Sequence, residues 1–221
     1  MKVISWNLLR RVGAAVEDVA DVIRREQPDL FLMQEATIEV RNLPSLVGGT
    51  LIHEPMPSRI YGLAGWTPHD VTSSPTFTLP VSRMPGRLPP RVAQLLHVGE
   101  ITFANVHLSH GQWLNRWQLM RLAGQLHGPA VVIGDFNAVG PTPLPGFHDV
   151  GPRERTHLCG NLVPLRLDRC LARGVRRLAA RTLDRGPSDH HPIVLKLQAD
   201  LHQHQSSHPV TGIQQAVAAA E

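Results

Sequence analysis

Residues 130–137 of the chain read Ala-Val-Val-Ile-Gly-Asp-Phe-Asn. A short continuous apolar run of this kind predicts a buried strand, here Ala130 to Asp135, inside an α/β protein. Two polar residues, Asp135 and Asn137, stand at the end of this strand and just after it. Because α/β folds place their chemistry at strand ends and in the loops that follow, we take both as candidate functional residues.

Other apolar segments of the chain alternate with helical patterns. Apolar residues recur at helical spacing from Val16, and Pro28 ends that helix; a second helix is predicted near residues 114–126. Residues 55–90 are rich in proline, glycine and serine, which predicts loops with one or two short strands. Further strands are predicted at Val3 to Asn7, Leu30 to Glu35, Ile101 to Ser109, Leu165 to Leu171 and Pro192 to Gln198. The whole pattern predicts an α/β protein.

These strands also carry polar residues at or near their ends. Asn7 and Glu35 end two strands, and we place Glu35 on the same face as Phe31 and Met33. His107 lies on the polar face of the third strand. Asp168 is predicted in mid-strand with Arg166 on the same face. The pair Asp189-His190 precedes the last strand.

The composition of this set indicates a chemistry. A buried carboxylate costs several kcal/mol unless it is paired or holds a metal. Oxygen ligands from Glu, Asp and Asn suit hard cations such as Mg²⁺ or Mn²⁺. Histidines beside such a cation supply the acid and base that phosphoester hydrolysis needs.

Six short motifs occur in the order typical of a known family. Together they resemble the signature of the endonuclease/exonuclease/phosphatase superfamily, over residues 3 to 198. The motif Asn105-Val106-His107 is closer to the histidine branch of the family than to the exonuclease III branch. The other five motifs are Ser5-Trp6-Asn7, Gln34-Glu35, Gly134-Asp135-Phe136-Asn137, Arg166-Leu167-Asp168 and Ser188-Asp189-His190-His191-Pro192.

The resemblance implies a fold and a domain organisation. The expected fold is a compact DNase I-like, four-layer α/β sandwich, in which helices flank two packed β-sheets. Residues 1–199 would form the catalytic domain. Residues 200–221, where the composition changes to Gln, His, Ser and Ala, would form a flexible C-terminal tail.

The resemblance also implies a metal site. Glu35 would ligate Mg²⁺ or Mn²⁺, with Asn7 beside it and Asp189 near the ion. Separately from the resemblance, Arg116 and Arg166 lie near the motifs, and we expect them to contact the substrate.

Five further residues take catalytic roles by the same resemblance. Asp135 would orient or activate the attacking water, and Asn137 would hold a phosphate oxygen. Asp168 would fix the tautomer of His190 through a hydrogen bond. His107 would face the phosphate as an acid or an electrophile. We expect structural roles for His110 and His191.

Charge and cysteine content give weaker indications. The formal net charge is +4, and nearly all the basic residues are arginines, which suit bidentate phosphate contacts. A general preference for arginine over lysine explains the same composition equally well.

Cys159 and Cys170 lack metal-type spacing, so we expect a reduced, cytoplasmic protein. No signal peptide or membrane span is predicted, and we expect a monomer.

Three classes of function stay open at this point. The leading one is a phosphodiesterase acting on DNA or RNA, with arginines 10, 11, 116, 153, 155 and 166 near the motifs. Aromatic residues make up only 5% of the chain, so no base-stacking platform is evident. The second class is a phosphatase, or a sphingomyelinase-like or phospholipase-like phosphodiesterase, acting on small or lipid phosphates. The third is a non-catalytic binding module, which the retained Glu35, Asp135 and His190 argue against.

Overall fold

Two β-sheets packed face to face form the centre of the protein in the computed structural model, which describes residues 1–10, 12–82, 90–160 and 162–200. The predicted tail after residue 200 and Arg11 therefore lie outside the described residues. The first sheet has six strands, in the order β14 (Val175–Thr182), β15 (Ile193–Ala199), β1 (Lys2–Asn7), β2 (Leu30–Thr37), β4 (Tyr61–Thr67) and β3 (Thr50–Pro55).

The second sheet has seven strands. Six follow the order β10 (His148–Asp149), β13 (Asp168–Arg173), β9 (Ala130–Asp135), β8 (Ile101–His107), β7 (Val92–Val98) and β5 (Thr72–Ser73). The seventh, β6 (Phe77–Thr78), also pairs with β7. A separate two-stranded sheet consists of β11 (His157–Cys159) and β12 (Val163–Leu165).

Helices cover the outer faces of both sheets. Helix α1 (Val16–Glu26), a 3₁₀ helix (Ile38–Asn42) and the short helix α2 (Leu43–Val47) lie on the first sheet, and α3 (Gln112–Ala123) lies on the second. One apolar cluster lies between α1 and the first sheet, another lies beneath α3, and the third fills the space between the sheets. The predicted four-layer α/β sandwich is confirmed.

Parallel pairing brings the polar strand ends together. Strands β1 and β2 run parallel, with Asn7 beside Gln34, and β8 and β9 run parallel, with His107 beside Asp135. Gln34 also donates a hydrogen bond of 2.7 Å to Asn105 across the space between the sheets. The two sheets are thus tied together directly below the edge where the candidate residues stand.

Residues 55–90 are predicted to form loops with one or two short strands, but three strands lie among the described residues of this range, and one of them, β4, has seven residues. Strand β4 is entirely buried and pairs with both β2 and β3. Its two glycines are positions of close approach, where a side chain would not fit. A Cβ atom on Gly62 would lie 2.0 Å from the carbonyl oxygen of Glu54, and one on Gly65 would lie 2.4 Å from Leu96. Glycine therefore marks close packing here, whereas its usual association with loops led to the error.

The strand predicted from Leu165 to Leu171 exists, but its start and the predicted mid-strand position of Asp168 are wrong. Strand β12 ends at Leu165, and β13 begins only at Asp168, so Arg166 lies in the connection between the two strands. Asp168 starts β13 directly opposite Asp135 at the end of β9. The alternation of apolar residues in the sequence continues across this break, which hides it.

Candidate active site

The strand ends surround a cavity of about 380 Å³. Seven predicted residues line it: Asn7, Glu35, His107, Asp135, Asn137, Asp189 and His190. Asp168 lies beneath, bonded to His190. The structure therefore brings eight of the ten predicted site residues together.

His190 is held by a buried carboxylate. Its Nδ1 atom lies 2.8 Å from Oδ2 of Asp168, which is itself fully buried. The Nε2 atom lies 3.9 Å from Asp135 and 3.8 Å from Asp189. Burial opposes protonation of the imidazole, but the carboxylates of Asp168 and Asp135 outweigh it and raise the pKa of His190 to about 10.

Asp135 stands at the centre of the cluster. Its Oδ1 atom accepts a hydrogen bond of 2.8 Å from the backbone N–H of Asn137, and its Oδ2 atom accepts one of 3.1 Å from Asn7. Burial alone would raise the pKa of this carboxyl group. The imidazolium of His190 and the hydrogen bonds from Asn137 and Asn7 outweigh burial, so the pKa of Asp135 is lowered and the group is a carboxylate.

His107 approaches Asp135 from the other side. Its Nε2 atom lies 3.5 Å from Oδ2 of Asp135 and 4.0 Å from Oε1 of Glu35. Burial and the nearby guanidinium group of Arg91 lower the pKa of His107 to about 3. The prediction for His107 is that it acts either as an acid or as an electrophile. A neutral imidazole can donate a hydrogen bond to a phosphate oxygen but has no extra proton to give away, so it suits the role of electrophile better.

A β-bulge directs Glu35 to the cavity. The pairing of β2 with β4 shifts register between Gln34 and Ala36, and Glu35 between them adopts the left-handed conformation with φ of 54°. Bulges often redirect a side chain next to an active site. The prediction that Glu35 continues the face of Phe31 and Met33 is therefore wrong, since Ala36 takes that place in the apolar cluster. The carboxylate of Glu35 accepts hydrogen bonds of 3.2 and 3.3 Å from Arg10.

The third predicted metal ligand, Asp189, has an additional neighbour. Its Oδ2 atom lies 3.4 Å from Nε2 of His157, whose ring centroid is 4.4 Å from that of His190. Asp189, His157 and His190 therefore form a group that could hold a metal ion, and Asp135, Asp168 and His190 form another. Among the described residues, neither group includes Glu35, so the predicted ligands surround the cavity without forming one compact cluster.

Two predicted substrate contacts are not part of the site. Arg166 forms a bidentate ion pair with Asp149, with both N–O distances at 2.7 Å, and lines a different cavity. Arg116 is exposed on α3 and does not line the catalytic cavity. Neither arginine lines the catalytic cavity, and contact of either with a substrate stays a prediction.

Two basic residues of the cavity wall, His157 and Arg91, have no predicted role, and His110, for which we expect a structural role, also lines the cavity. His157 reaches the site because it forms a β-bridge with His190. Arg91 precedes β7, and its buried side chain lines the same cavity and lowers the pKa of His107 by its charge. Neither position belongs to a motif. The only sequence signal is their residue type, because a buried arginine or histidine usually has a partner.

Comparison with known proteins places this arrangement in a family. Residues 4–190 match the model of the Endonuclease/Exonuclease/phosphatase family, which covers five of the six motifs entirely and the sixth as far as His190. The chain belongs to this family. No curated protein matches it in sequence.

Solved structures of the same fold cover 90% of the chain at low identity. A functionally unknown conserved protein from Enterococcus faecalis V583 has 20% identity and a TM-score of 0.71 over its whole length. A mannosyl-6-phosphatase from Bacteroides thetaiotaomicron VPI-5482 has 17% identity and a TM-score of 0.72 over 99% of its length. A humanized TDP2 from D. rerio has 16% identity and a TM-score of 0.69, also over 99%. The chain is therefore similar in fold to a phosphatase and to TDP2.

Members of this family are generally phosphoester hydrolases that use divalent metals, so phosphoester hydrolysis is the activity class that the family supports. Within the described residues, no helix is long and apolar enough to cross a membrane.

Proposed function

We propose that the protein is a Mg²⁺- or Mn²⁺-dependent phosphodiesterase that hydrolyses the backbone of DNA or RNA. The observation that carries the proposal is the line from Asp168 through His190 to Asp135. Asp168 binds Nδ1 of His190, so Nε2 is left facing the cavity, 3.9 Å from the carboxylate of Asp135. A positioned imidazole beside a carboxylate at a cavity wall suits proton transfer to and from a phosphate ester.

The donor set fits a hard divalent cation. Asn7, Glu35 and Asp189 line the cavity and offer amide and carboxylate oxygen atoms. Oδ1 of Asp189 is buried and accepts no hydrogen bond from the described residues, which leaves it available as a ligand. When bound, the cation would neutralise charge on the phosphate and lower the pKa of a water molecule.

The protein's own groups then divide the remaining work. The carboxylate of Asp135 accepts a hydrogen bond from the attacking water and orients that water. Asn7 and the backbone N–H of Asn137 donate hydrogen bonds to the two carboxylate oxygen atoms of Asp135 and hold them in place. As the bond between phosphorus and the leaving oxygen breaks, protonated His190 donates its Nε2 proton to that oxygen, and the proton of the attacking water passes to the carboxylate of Asp135. Neutral His107, on the far side of Asp135, donates a hydrogen bond to a phosphate oxygen.

Surface charge supports a polyanionic substrate. The chain has a formal charge of +4, and Arg10, Arg116, Arg153 and Arg155 are exposed on the described surface. Neutralisation of backbone phosphates by such groups is the main source of affinity for nucleic acid. The structural relative TDP2 and the mannosyl-6-phosphatase, both below 25% identity, share the fold and leave the choice of substrate to experiment.

A small or lipid phosphate is the second candidate. A cavity of about 380 Å³ is large enough to take a phosphate group with part of a sugar or a lipid headgroup. This candidate predicts turnover of monoesters or phospholipids in place of nucleic acid.

The test is a substrate panel with matched variants. Wild-type protein, His190→Gln and the distant surface variant Leu178→Ala are incubated with Mg²⁺ or Mn²⁺ and either plasmid DNA, RNA, bis-p-nitrophenyl phosphate, p-nitrophenyl phosphate or phospholipids. We expect cleavage of nucleic acid and of the diester, lost in His190→Gln and kept in Leu178→Ala. Robust turnover of monoesters or lipids without nucleic acid cleavage would support the second candidate and refute the first.

A further inference from the structure

Helix α3 presents an exposed aromatic face to solvent. Trp113 is 84% exposed, Trp117 is 46% exposed and Met120 is 51% exposed. These residues lie at positions i, i+4 and i+7, so their side chains form one stripe along the helix. Large apolar side chains grouped in this way on a protein surface commonly mark a binding site.

Two cations border the stripe. Arg116 and Arg121 are exposed on the same helix, one on each side of the apolar residues. The sequence of α3, Gln-Trp-Leu-Asn-Arg-Trp-Gln-Leu-Met-Arg-Leu-Ala, contains no acidic residue. The face therefore combines aromatic rings with unopposed positive charge. Arg116 does not line the catalytic cavity but belongs to this exposed face of α3.

The helix is fixed to the rim of the catalytic cavity. Gln112, its first residue, donates a hydrogen bond of 2.6 Å to the carbonyl oxygen of Val139, which lines the cavity. The buried side chain of Asn115 donates a hydrogen bond to the carbonyl oxygen of Phe136, next to Asn137. The aromatic face thus has a fixed position relative to the catalytic loop.

We propose that Trp113, Trp117, Arg116 and Arg121 form a platform that binds single-stranded nucleic acid beside the active site. Bases stack on the two indole rings, and the arginines contact the flanking phosphates. A helical rise of about 1.5 Å per residue separates the tryptophans by about 6 Å along the axis, which suits neighbouring unpaired bases. Duplex DNA keeps its bases stacked internally, so the platform favours unpaired strands. The inference rests on the proposed function and names its substrate class.

A lipid surface fits the face less well. Interfacial helices bury an extended apolar face, whereas this one offers three side chains on a helix of 12 residues. Stacking needs no more than the two rings present. Vesicle binding is therefore an outcome that would count against the proposal.

Intrinsic fluorescence can report on the platform selectively. Of the four tryptophans, Trp6 and Trp66 are buried, with exposures of 2% and 3%. A short oligothymidylate is titrated into the full-length protein with Ca²⁺ in place of Mg²⁺, while emission is recorded. We expect saturable quenching from Trp113 and Trp117.

Variants of the two tryptophans show how much each ring contributes to the affinity for oligothymidylate. Trp113→Ala and Trp117→Ala should each weaken oligothymidylate binding about 5- to 150-fold, which corresponds to the roughly 1–3 kcal/mol typical of one stacked base. Trp113→Phe should recover most of the affinity, because its ring can still stack. Leu178→Ala, which removes an equally exposed apolar side chain from β14, is the control and should bind as the wild type does.

Two results would overturn the proposal. The first is unchanged affinity in the variant that lacks both tryptophans. The second is the absence of any response to the oligonucleotide, whether or not anionic phospholipid vesicles shift the emission to the blue. Turnover of bis-p-nitrophenyl phosphate by the wild-type protein is measured in parallel. A protein that hydrolyses this diester and binds no oligonucleotide retains the catalytic proposal and loses the platform, whereas failure to hydrolyse it removes the catalytic proposal.

Discussion

Two clusters of buried charge lie on either side of the start of strand β13, and they differ in how their charges are matched. Asp168 belongs to the catalytic cluster with His190 and Asp135, and Arg169, the next residue, belongs to a second cluster with Asp149 and Arg166. Successive side chains of a strand point to opposite faces, so Asp168 and Arg169 of the same strand belong to different clusters.

The second cluster, which we call the arginine cluster, satisfies nearly all of its polar atoms internally. Both carboxylate oxygens of Asp149 accept hydrogen bonds of 2.7 Å from Arg166, and Arg166 Nε donates to the carbonyl oxygen of Pro152 at 2.6 Å. Arg169 donates to the carbonyl oxygen of Gly140 at 2.6 Å, and only its Nε atom lacks an acceptor among the described residues. Such an arrangement ties the loop after Asn137 to β13.

The catalytic cluster has more unmatched groups. Oδ1 of Asp168, Oδ1 of Asp189 and Nδ1 of His107 are buried without hydrogen-bond partners among the described residues. Acidic groups also outnumber permanent cations in the cavity, where Glu35, Asp135 and Asp189 face Arg10 and Arg91. Buried polar groups without partners cost stability, and such costs are concentrated at functional sites. We infer that the arginine cluster serves stability and that the catalytic cluster serves chemistry.

The largest expected effect is on turnover when the catalytic cluster is changed. Asp135→Asn and His190→Gln should each lower kcat for bis-p-nitrophenyl phosphate at least about 100-fold, because they remove a general acid–base group. In Asp135→Asn the free energy of unfolding, measured in urea, should change little, whereas His190→Gln leaves the buried carboxylate of Asp168 without its charged partner and should also lower the free energy of unfolding. A loss of both activity and stability in Asp135→Asn would show that the catalytic cluster also holds the fold together.

A smaller effect is expected for Asp168→Asn. The amide can no longer accept the Nδ1 proton of His190 in the same way, so the imidazole loses its fixed tautomer and orientation. Loss of such an indirect partner typically costs about 10- to 100-fold in activity. We expect the decrease in kcat, with KM nearly unchanged. Wild-type kcat in this variant would mean that Asp168 and His190 are not coupled.

The arginine cluster should respond in the opposite way. Arg166→Ala leaves the carboxylate of Asp149 partly buried without its main partner, and we expect a loss of about 2 to 3 kcal/mol in the free energy of unfolding. Because Arg166 lies outside the catalytic cavity, kcat and KM of the folded enzyme should stay close to wild type. Raised KM with normal stability would instead support the substrate contact predicted from sequence.

The smallest effect is a pH dependence of stability. Burial raises the pKa of Asp149, but the hydrogen bonds and charge of Arg166 outweigh burial and lower it below its ordinary value. The ion pair therefore stabilises the fold fully above the ordinary aspartate pKa, and its contribution is lost as pH falls through the lowered value. At neutral pH, the free energy of unfolding in urea should be about 1 kcal/mol higher for the wild-type protein than for Asp149→Asn. This difference should vanish in acid, and a constant difference would contradict the assignment.

The two clusters were not equally predictable from sequence. Asn7 and Asp135 could be placed because each ends an apolar strand, and the hydrophobic effect fixes where such strands lie. His107 could be placed on the polar face of its strand, although the strand ends at His107 and not at the predicted Ser109. Parallel pairing then brings their ends to one edge. Family resemblance added the pairing of Asp168 with His190, which local patterns do not encode.

The remaining features depend on contacts distant in sequence. The left-handed bulge at Glu35 arises from pairing with β4, and His157 reaches the site through a bridge to His190. Arg166 was assigned to the substrate because its partner, Asp149, lies 17 residues away along the chain. The low aromatic content concealed the platform on α3, because composition does not tell which tryptophans are exposed.

The central claim is that the catalytic cluster acts on phosphate esters with a divalent cation. The most direct test is the turnover of bis-p-nitrophenyl phosphate by the wild-type protein, measured in EDTA and again after addition of excess Mg²⁺ or Mn²⁺, with Asp135→Asn as the control. We predict no turnover in EDTA, recovery with either ion because the ligands are mainly oxygen atoms, and no recovery in Asp135→Asn. Full turnover in EDTA would contradict the claim.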